Sequence, residues 1–333
     1  MTSSNDRPRI GVVGATGAVG QVTMRLLRER GYSSVRAFAS SRSAGTTLDG
    51  IEIEEANPES IGGGDLDLCF FSVGAEASAE LVPHAVAAGA LCVDKSSAFR
   101  LADGVPLVVP EVNGERAHEN DGIVANPNCS TIPLTIALAP LHEAAGLRRV
   151  RVATYQAASG AGVEAMARLG SESAAEHDLR MDWSFDGEEF DEESKIRAES
   201  CKILELRDLP LSATCVRVPV LVGHAEAIWI ETEDPLSPEH AERILAAAPG
   251  IRLEQFPTPG LAVGTEAVLV GRIRQDPTFE NGLVLFLACD NLVKGAALNA
   301  VQIAELLLGE RASSTPRGVT GDRTRRGRSA AAL

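Results

Sequence analysis

The chain has 333 residues, 44% hydrophobic and 23% charged, a globular balance that excludes general disorder and gives length for about two domains. A formal net charge of −15 excludes a nucleic-acid or anionic-membrane partner for the body of the protein, and 4% aromatics disfavour base-stacking platforms. No apolar run reaches membrane-span length, the N-terminal MTSSNDRPR has no secretory h-region, and six scattered cysteines without CxxC spacing fit a reducing cytoplasm.

Residues 9–13 (RIGVV) read as a buried strand and 19–30 as a helix ended by Gly31. Strands are expected at 35–39, 66–72, 91–94, 107–109 and 122–125, with a helix over 75–88 closed by Gly89. Strands alternating with helices imply right-handed βαβ units, so residues 1–128 are expected to form an α/β, Rossmann-like, doubly wound parallel sheet. After Asn128 the texture changes to a helix over 131–145, a longer strand at 149–157 and an acidic irregular stretch at 181–193. Further strands fall at 213–220, 225–231, 267–274 and 282–289, which predicts an α+β domain over 129–291 with a mixed, largely antiparallel sheet. An apolar helix at 296–308 lies within a segment, 292–310, expected to complete the first domain. Residues 311–333, with six arginines against one aspartate, read as a disordered basic tail.

The turn Gly14-Ala-Thr16-Gly17-Ala18-Val19-Gly20 joins the first strand to the first helix. Small residues let the backbone approach a pyrophosphate, and the helix terminus offers unpaired N–H groups and a positive dipole end. Tight packing alone is the alternative, and the strand–turn–helix context favours a dinucleotide site. The second strand ends in Ala39-Ser40-Ser41-Arg42-Ser43 without the acid that would hold a ribose 2′-hydroxyl. A guanidinium among hydroxyls suits a 2′-phosphate, so NADP is expected over NAD; an exposed polar loop is the bland reading of any one serine.

Cys129 lies in NPNCSTIP, between the last strand of the first domain and a helix that Asn128 or Ser130 can cap and Pro133 can begin. A positive helix terminus lowers a thiol pKa, so Cys129 is expected to be a reactive nucleophile, the other cysteines core thiols. A nucleophilic cysteine beside a nicotinamide points to aldehyde chemistry through a thiohemiacetal and a thioester.

NPNCSTIPL, the YQAASGAG run over 155–162 and CVRVPVLVGH over 215–224 resemble the aspartate-semialdehyde dehydrogenases. VGATGAVG, SSRSAG, KSSAFR over 95–100 and DNLVKGAA over 290–297 match that family in the same order, across about residues 9–309. The resemblance implies NADPH-dependent reduction of L-4-aspartyl phosphate to aspartate semialdehyde, on the way to lysine, threonine and methionine. It makes Cys129 the acyl-carrying nucleophile, Gln156 the residue orienting substrate and Arg217 the ligand of the α-carboxylate. His224 becomes the general base, since a histidine can accept a thiol proton near neutrality. Arg100 and Lys195 are implied phosphate ligands, with Glu192 on the substrate amine or a water and Asn128 beside the substrate. Ser159, Gly160 and Asn291 join the glycine turn, Ser40, Arg42 and Ser43 around NADP, and no metal is implied.

The family also implies a homodimer or homotetramer built on the second domain. Here the chain departs from it, because the segment between Gln156 and Glu192 is much shorter than in the best-known members. Two competing readings are a reductase of N-acyl-glutamyl-phosphate type and a non-catalytic NADP-binding paralogue. An intact Cys129–Gln156–Arg217–His224 set argues against the latter.

Overall fold

The structure is a computed structural model that describes residues 7–171 and 182–314. Ile10–Val13 (β1) is buried at every position, as a strand covered on both faces must be. It is followed by Val35–Ala39 (β2), Thr47–Leu48 (β3), Ile51–Glu55 (β4), Leu68–Phe71 (β5), Leu91–Asp94 (β6) and Ile123–Ala125 (β7). They form one seven-stranded sheet in the order β3-β4-β2-β1-β5-β6-β7, parallel except where β3 meets β4. The expected strand at 107–109 is instead a single bridge from Leu107 to Ala125, since β7 ends there and leaves nothing further to pair.

The second sheet contains Leu147–Gln156 (β8), Leu211–Arg217 (β9), His224–Thr232 (β10), Ile251–Leu253 (β11), Val268–Gln275 (β12) and Gly282–Cys289 (β13). Its order is β11-β12-β13-β10-β8-β9, with β8–β9 and β11–β12 parallel and the remaining pairs antiparallel. The helices Thr131–Ala145, Asp191–Ile203 and Pro238–Ala247 pack on this sheet. Thr131–Ala145 is apolar on nearly every side, and its Ile132, Leu134, Leu138 and Leu141 are fully buried in the core beneath the strands. Each such side chain contributes roughly 1.5–3 kcal/mol relative to exposure.

The C-terminal helix starts later than the sequence suggests. Val293–Ala297 makes a wider π-type turn before Leu298–Ser314 continues, and Leu298, Val301 and Ile303 join the core of the first sheet with Ile10, Leu27 and Phe70. Residues 315–333, most of the tail expected to be disordered, lie outside the described residues. Among the described residues no helix is long and apolar enough to cross a membrane.

Candidate active site

The edge of the second sheet brings three distant residues together. Gln156 ends β8, and its register partner on β9 is Arg217. On the other side of β8 the strand β10 begins at His224, with Ala225 opposite Tyr155. Arg217 thus closes β9 and His224 opens β10, joined by the connection over 218–223. β9 pairs in parallel with the far side of β8, so Gln156 stands between them, and all three are buried.

Cys129 approaches this edge from the start of the helix Thr131–Ala145. Asn128 caps that helix, its Oδ1 accepting from the Ser130 and Thr131 amides at 2.8 and 3.4 Å, whereas the Ser130 hydroxyl has no partner. The Cys129 Sγ lies 3.2 Å from His224 Nε2. The expected lowering of the thiol pKa is not what the structure produces. Burial, reinforced by the Glu192 carboxylate, pushes it up to about 12, against the pull of Arg217 and Arg100. Burial and the nearby Arg217 charge push His224 down to about 3, so the ring is neutral. The Ala157 N–H donates to His224 Nδ1 at 3.0 Å, which puts the neutral ring's proton on Nε2, facing the sulfur. In this arrangement His224 is a donor to Cys129, which corrects the expectation of a base poised to take the thiol proton.

The helix Asp191–Ile203 supplies the polar frame, its first three residues taking over the end of the expected irregular stretch, while 182–190 are irregular as expected. Asp191, Glu192 and Glu193 crowd its N-terminus, where the helix dipole favours negative charge. Glu193 accepts from the Phe190 and Cys215 amides at 2.8 and 2.9 Å, stapling the helix start to β9. Glu192 Oε1 accepts from both Asn128 Nδ2 and Gln156 Nε2, each at 2.9 Å, so it orients those two amides. One turn-pair further on, Glu199 accepts from Arg100 Nη1 at 2.9 Å and from the Asn128 amide at 2.7 Å. Lys195 Nζ pairs with Asp191 at 2.7 Å.

The Arg217 fork is also occupied. Its Nε and Nη2 both donate to Asp182 Oδ1, at 3.2 and 2.7 Å, and its guanidinium lies over the Trp183 ring at 4.6 Å. Gly160 sits against it: a Cβ there would lie 2.8 Å from Arg217 Nη1 and 3.2 Å from His224 Nε2. Asn291 accepts from the Gly223 amide at 2.8 Å and donates to Ser159 Oγ at 2.9 Å, which fixes the residue preceding His224. Cys129, Gln156, Arg217, Asn291 and Ser159 line one cavity of about 330 Å³, shared with Lys95, Arg100, Glu192 and Lys195. Sequence reasoning gave no role to Lys95, Asp182, Trp183 or Glu199. Lys95 alone carried a usable signal, as it directly follows the C-terminal end of a parallel strand, where α/β ligands bind.

The glycine turn lies beside this cavity, which Val19 also lines. Gly14 has φ +82°, and a Cβ there would strike the Ser72 carbonyl, while one on Gly20 would strike the Gly14 carbonyl. Gly17 begins the helix Ala18–Glu29 with no side chain capping its first amides, and Gln21 Nε2 holds the Thr16 carbonyl at 2.8 Å. The cradle is thus closed to side chains and open to an anion, which fits a dinucleotide pyrophosphate. Ser40 and Arg42 are exposed in the turn after β2, Ser43 is half-buried there, and no acid stands in that turn.

The geometry defines a class: a two-part dehydrogenase with a cysteine at the junction of a nucleotide-binding sheet and a second, mixed sheet. Residues 9–120 match the semialdehyde dehydrogenase NAD binding domain, and 138–294 match the semialdehyde dehydrogenase dimerisation domain. The aspartate-semialdehyde dehydrogenase of Corynebacterium melassecola is 45% identical over 342 residues, covering 90% of this chain and 99% of its own. That of Bacillus subtilis is 42% identical, covering 90% and 96%. Among solved structures, aspartate semialdehyde dehydrogenase II of Vibrio cholerae complexed with ASA superposes with a TM-score of 0.85 at 37% identity, covering 91% and 99%. The Candida albicans enzyme with NADP gives 0.74 at 27%, covering 92% and 99%. The chain belongs to the aspartate-semialdehyde dehydrogenase family.

Proposed function

We propose that this protein reduces L-4-aspartyl phosphate to L-aspartate 4-semialdehyde with NADPH, and in reverse oxidises the aldehyde with uptake of phosphate. The observation that carries this reading is the convergence of Cys129, Gln156 and Arg217 on one cavity beside the glycine cradle, with His224 buried behind them 3.2 Å from the Cys129 sulfur. Residues 1–128 with 292–310 would hold the cofactor through Gly14, Thr16, Gly17, Ala18, Val19 and Gly20, joined by Ser159, Gly160 and Asn291 of the second domain. Ser40, Arg42 and Ser43 would meet the 2′-phosphate that distinguishes NADP. When bound, the nicotinamide supplies or takes up the hydride at the carbon attached to sulfur.

The rest is chemistry of the chain's own residues over 129–291, with Arg100 contributed by the first domain. The Cys129 sulfur bonds to the acyl carbon as the carbon–oxygen bond to phosphate breaks, and the thiol proton leaves with the phosphate, giving a thioester and inorganic phosphate. The His224 Nε2–H, neutral and aimed at Sγ, stabilises the sulfur anion and the oxygen that turns anionic on the attached carbon. Gln156 spends one N–H on Glu192 and keeps the other for the acyl group. Arg217 exchanges the Asp182 carboxylate for the substrate's α-carboxylate, a like-for-like swap that keeps the guanidinium paired. Arg100 and Lys195 receive the phosphate.

The exposed face of the second sheet fits a second copy of the chain. Tyr155 is 37% exposed, its ring 6.3 Å from Phe286, and Arg272 lies over Phe286 at 5.3 Å. An aromatic and arginine-rich strand face of this kind suits a homodimer contact, from which a tetramer can be built. The decisive test is NADP reduction with aspartate semialdehyde in the presence and absence of phosphate. Phosphate-dependent turnover is expected; no turnover, or equal turnover of the one-carbon-longer glutamate semialdehyde, overturns the reading.

A further inference from the structure

Four cationic side chains line the cavity around Cys129: Lys95, Arg100, Lys195 and Arg217. Three of them already meet a carboxylate, Arg100 on Glu199, Lys195 on Asp191 and Arg217 on Asp182. Lys95 differs. Its Nζ donates to Ser72 Oγ at 3.0 Å, and among the described residues it makes no ion pair. Its chain neighbour Asp94 does not serve it, because that carboxylate is taken by the Ser78 and Ser96 hydroxyls at 2.7 Å each and by the Ser96 amide at 3.2 Å.

The position of Lys95 is enforced from both ends. Arg100 Nη2 donates to the Lys95 carbonyl at 2.7 Å, and Arg100 Nε to the Asn126 carbonyl at 3.1 Å. Arg100 therefore ties the loop after β6 to the segment that carries Cys129, and Ser72, just after β5, holds the amine. An ammonium has three donors, so two remain for a ligand. The acids of the cavity, Asp182 and Glu192, come from the segment around the second sheet, whereas Lys95 comes from the first. An anion entering the cavity meets least repulsion on the Lys95 side.

We propose that Lys95 is a further phosphate ligand of the site, contacting the phosphoryl oxygens of the acyl phosphate and of the inorganic phosphate released from it beside Arg100 and Lys195, while Arg100 also fixes the Lys95 backbone. This rests on the reaction proposed above and refines its phosphate subsite. The same oxyanion chemistry occurs in the cofactor pyrophosphate, and kinetics separate the two sources. Removal from water also pulls the Lys95 amine down to about 7, with the Asp94 charge opposing the shift and the Arg100 charge adding to it, so its charge varies around neutral pH.

The experiment compares wild type with Lys95→Met, which keeps the length of the side chain and removes a desolvated charge. Oxidation of aspartate semialdehyde is followed while inorganic phosphate and NADP are varied in turn. The KM for phosphate should rise about 10- to 100-fold, as expected for loss of a hydrogen bond to a charged group. The KM for NADP should move less than twofold, and wild type alone should show a phosphate KM that worsens above pH 7. Protection against thermal unfolding by inorganic phosphate should be lost in parallel. An unchanged phosphate KM in an otherwise active variant overturns the proposal, and so does a rise confined to NADP. If wild type itself shows no phosphate-dependent turnover, the proposed reaction fails instead, and the two failures are distinct.

Discussion

The sulfur of Cys129 stands 3.2 Å from His224 Nε2 while the opposite ring nitrogen accepts the Ala157 amide at 3.0 Å. The second contact decides the first. A doubly protonated ring would point Nδ1–H at another N–H, so the imidazolium is disfavoured by geometry as well as by burial and the Arg217 charge. His224 is built to donate while neutral. His224→Ala is expected to lower kcat on the order of 10²–10³-fold, the usual loss of one oxyanion donor. His224→Asn, which still offers an N–H, should retain more activity than the alanine variant. The wild-type profile of kcat/KM should show no inflection between pH 5 and 7; a limb there that disappears in His224→Asn would restore the base.

Glu226, two residues beyond His224 on β10, makes a separate prediction about stability. It is fully buried, neither carboxylate oxygen has a hydrogen-bond partner, and burial holds its pKa well above the ordinary carboxylate value. Its register neighbours are Thr154 on β8 and Leu287 on β13, and Cys215 and Cys289 lie near enough to feel its charge. A raised folded pKa contributes stability below the unfolded value, near 4.5, and that contribution is lost as pH rises toward the folded value. The loss is at most about 1.4 kcal/mol per pH unit. The Tm advantage of Glu226→Gln over wild type should therefore widen between pH 5 and 8. A constant difference across that range would show that Glu226 ionises as readily folded as unfolded.

Cofactor preference is expected to turn on Arg42. It is exposed in the turn after β2, where no acid would bind the ribose hydroxyl or repel a 2′-phosphate. Arg42→Ala should raise the KM for NADPH about tenfold or more while leaving that for NADH nearly unchanged, since only the former offers the phosphate. Equal preference before and after the change refutes the assignment.

What the sequence revealed and what it hid differ in physical kind. Local patterns survive folding: the apolar run at Gly282–Cys289 is a strand to the residue, and Thr131–Ala145 is a helix with the same bounds. The helix Asp191–Ile203 was misread at its start because buried acids look like solvated ones in a string. Glu192 and Glu199 are buried only because Asn128, Gln156 and Arg100, at separations of 36 to 99 residues, supply the donors that make burial tolerable. The same blindness affected Cys129. Its helix terminus is a local feature and was legible, whereas the desolvation that overrides it depends on the whole cavity closing around the thiol.

Arg217 carries the prediction on substrate class. Its Nε and Nη2 face one carboxylate oxygen of Asp182 now, Nη1 is anchored on the Ala157 carbonyl at 3.1 Å, and Trp183 covers the guanidinium plane. Such a clamp holds a planar fork in one orientation, so the substrate carboxylate arrives at a site already shaped for it and displaces a chemical equivalent. Lysine preserves the charge but loses both the fork and the stacked plane. Arg217→Lys should thus raise the KM for aspartate semialdehyde by about 10- to 100-fold, the value of a charged hydrogen bond, and lower kcat only insofar as the reacting carbon is misplaced relative to Cys129. Aldehydes without an α-carboxylate should be poor substrates of wild type and indifferent to the substitution, because they never use the fork. Asp182→Asn supplies the complementary arm: weakening the internal competitor should lower KM for the semialdehyde, unless Asp182 binds the substrate ammonium after release, in which case KM rises with Arg217 intact. Unchanged kinetics in Arg217→Lys, with carboxylate-free aldehydes turned over equally well, would remove the basis for an amino-acid aldehyde as the substrate.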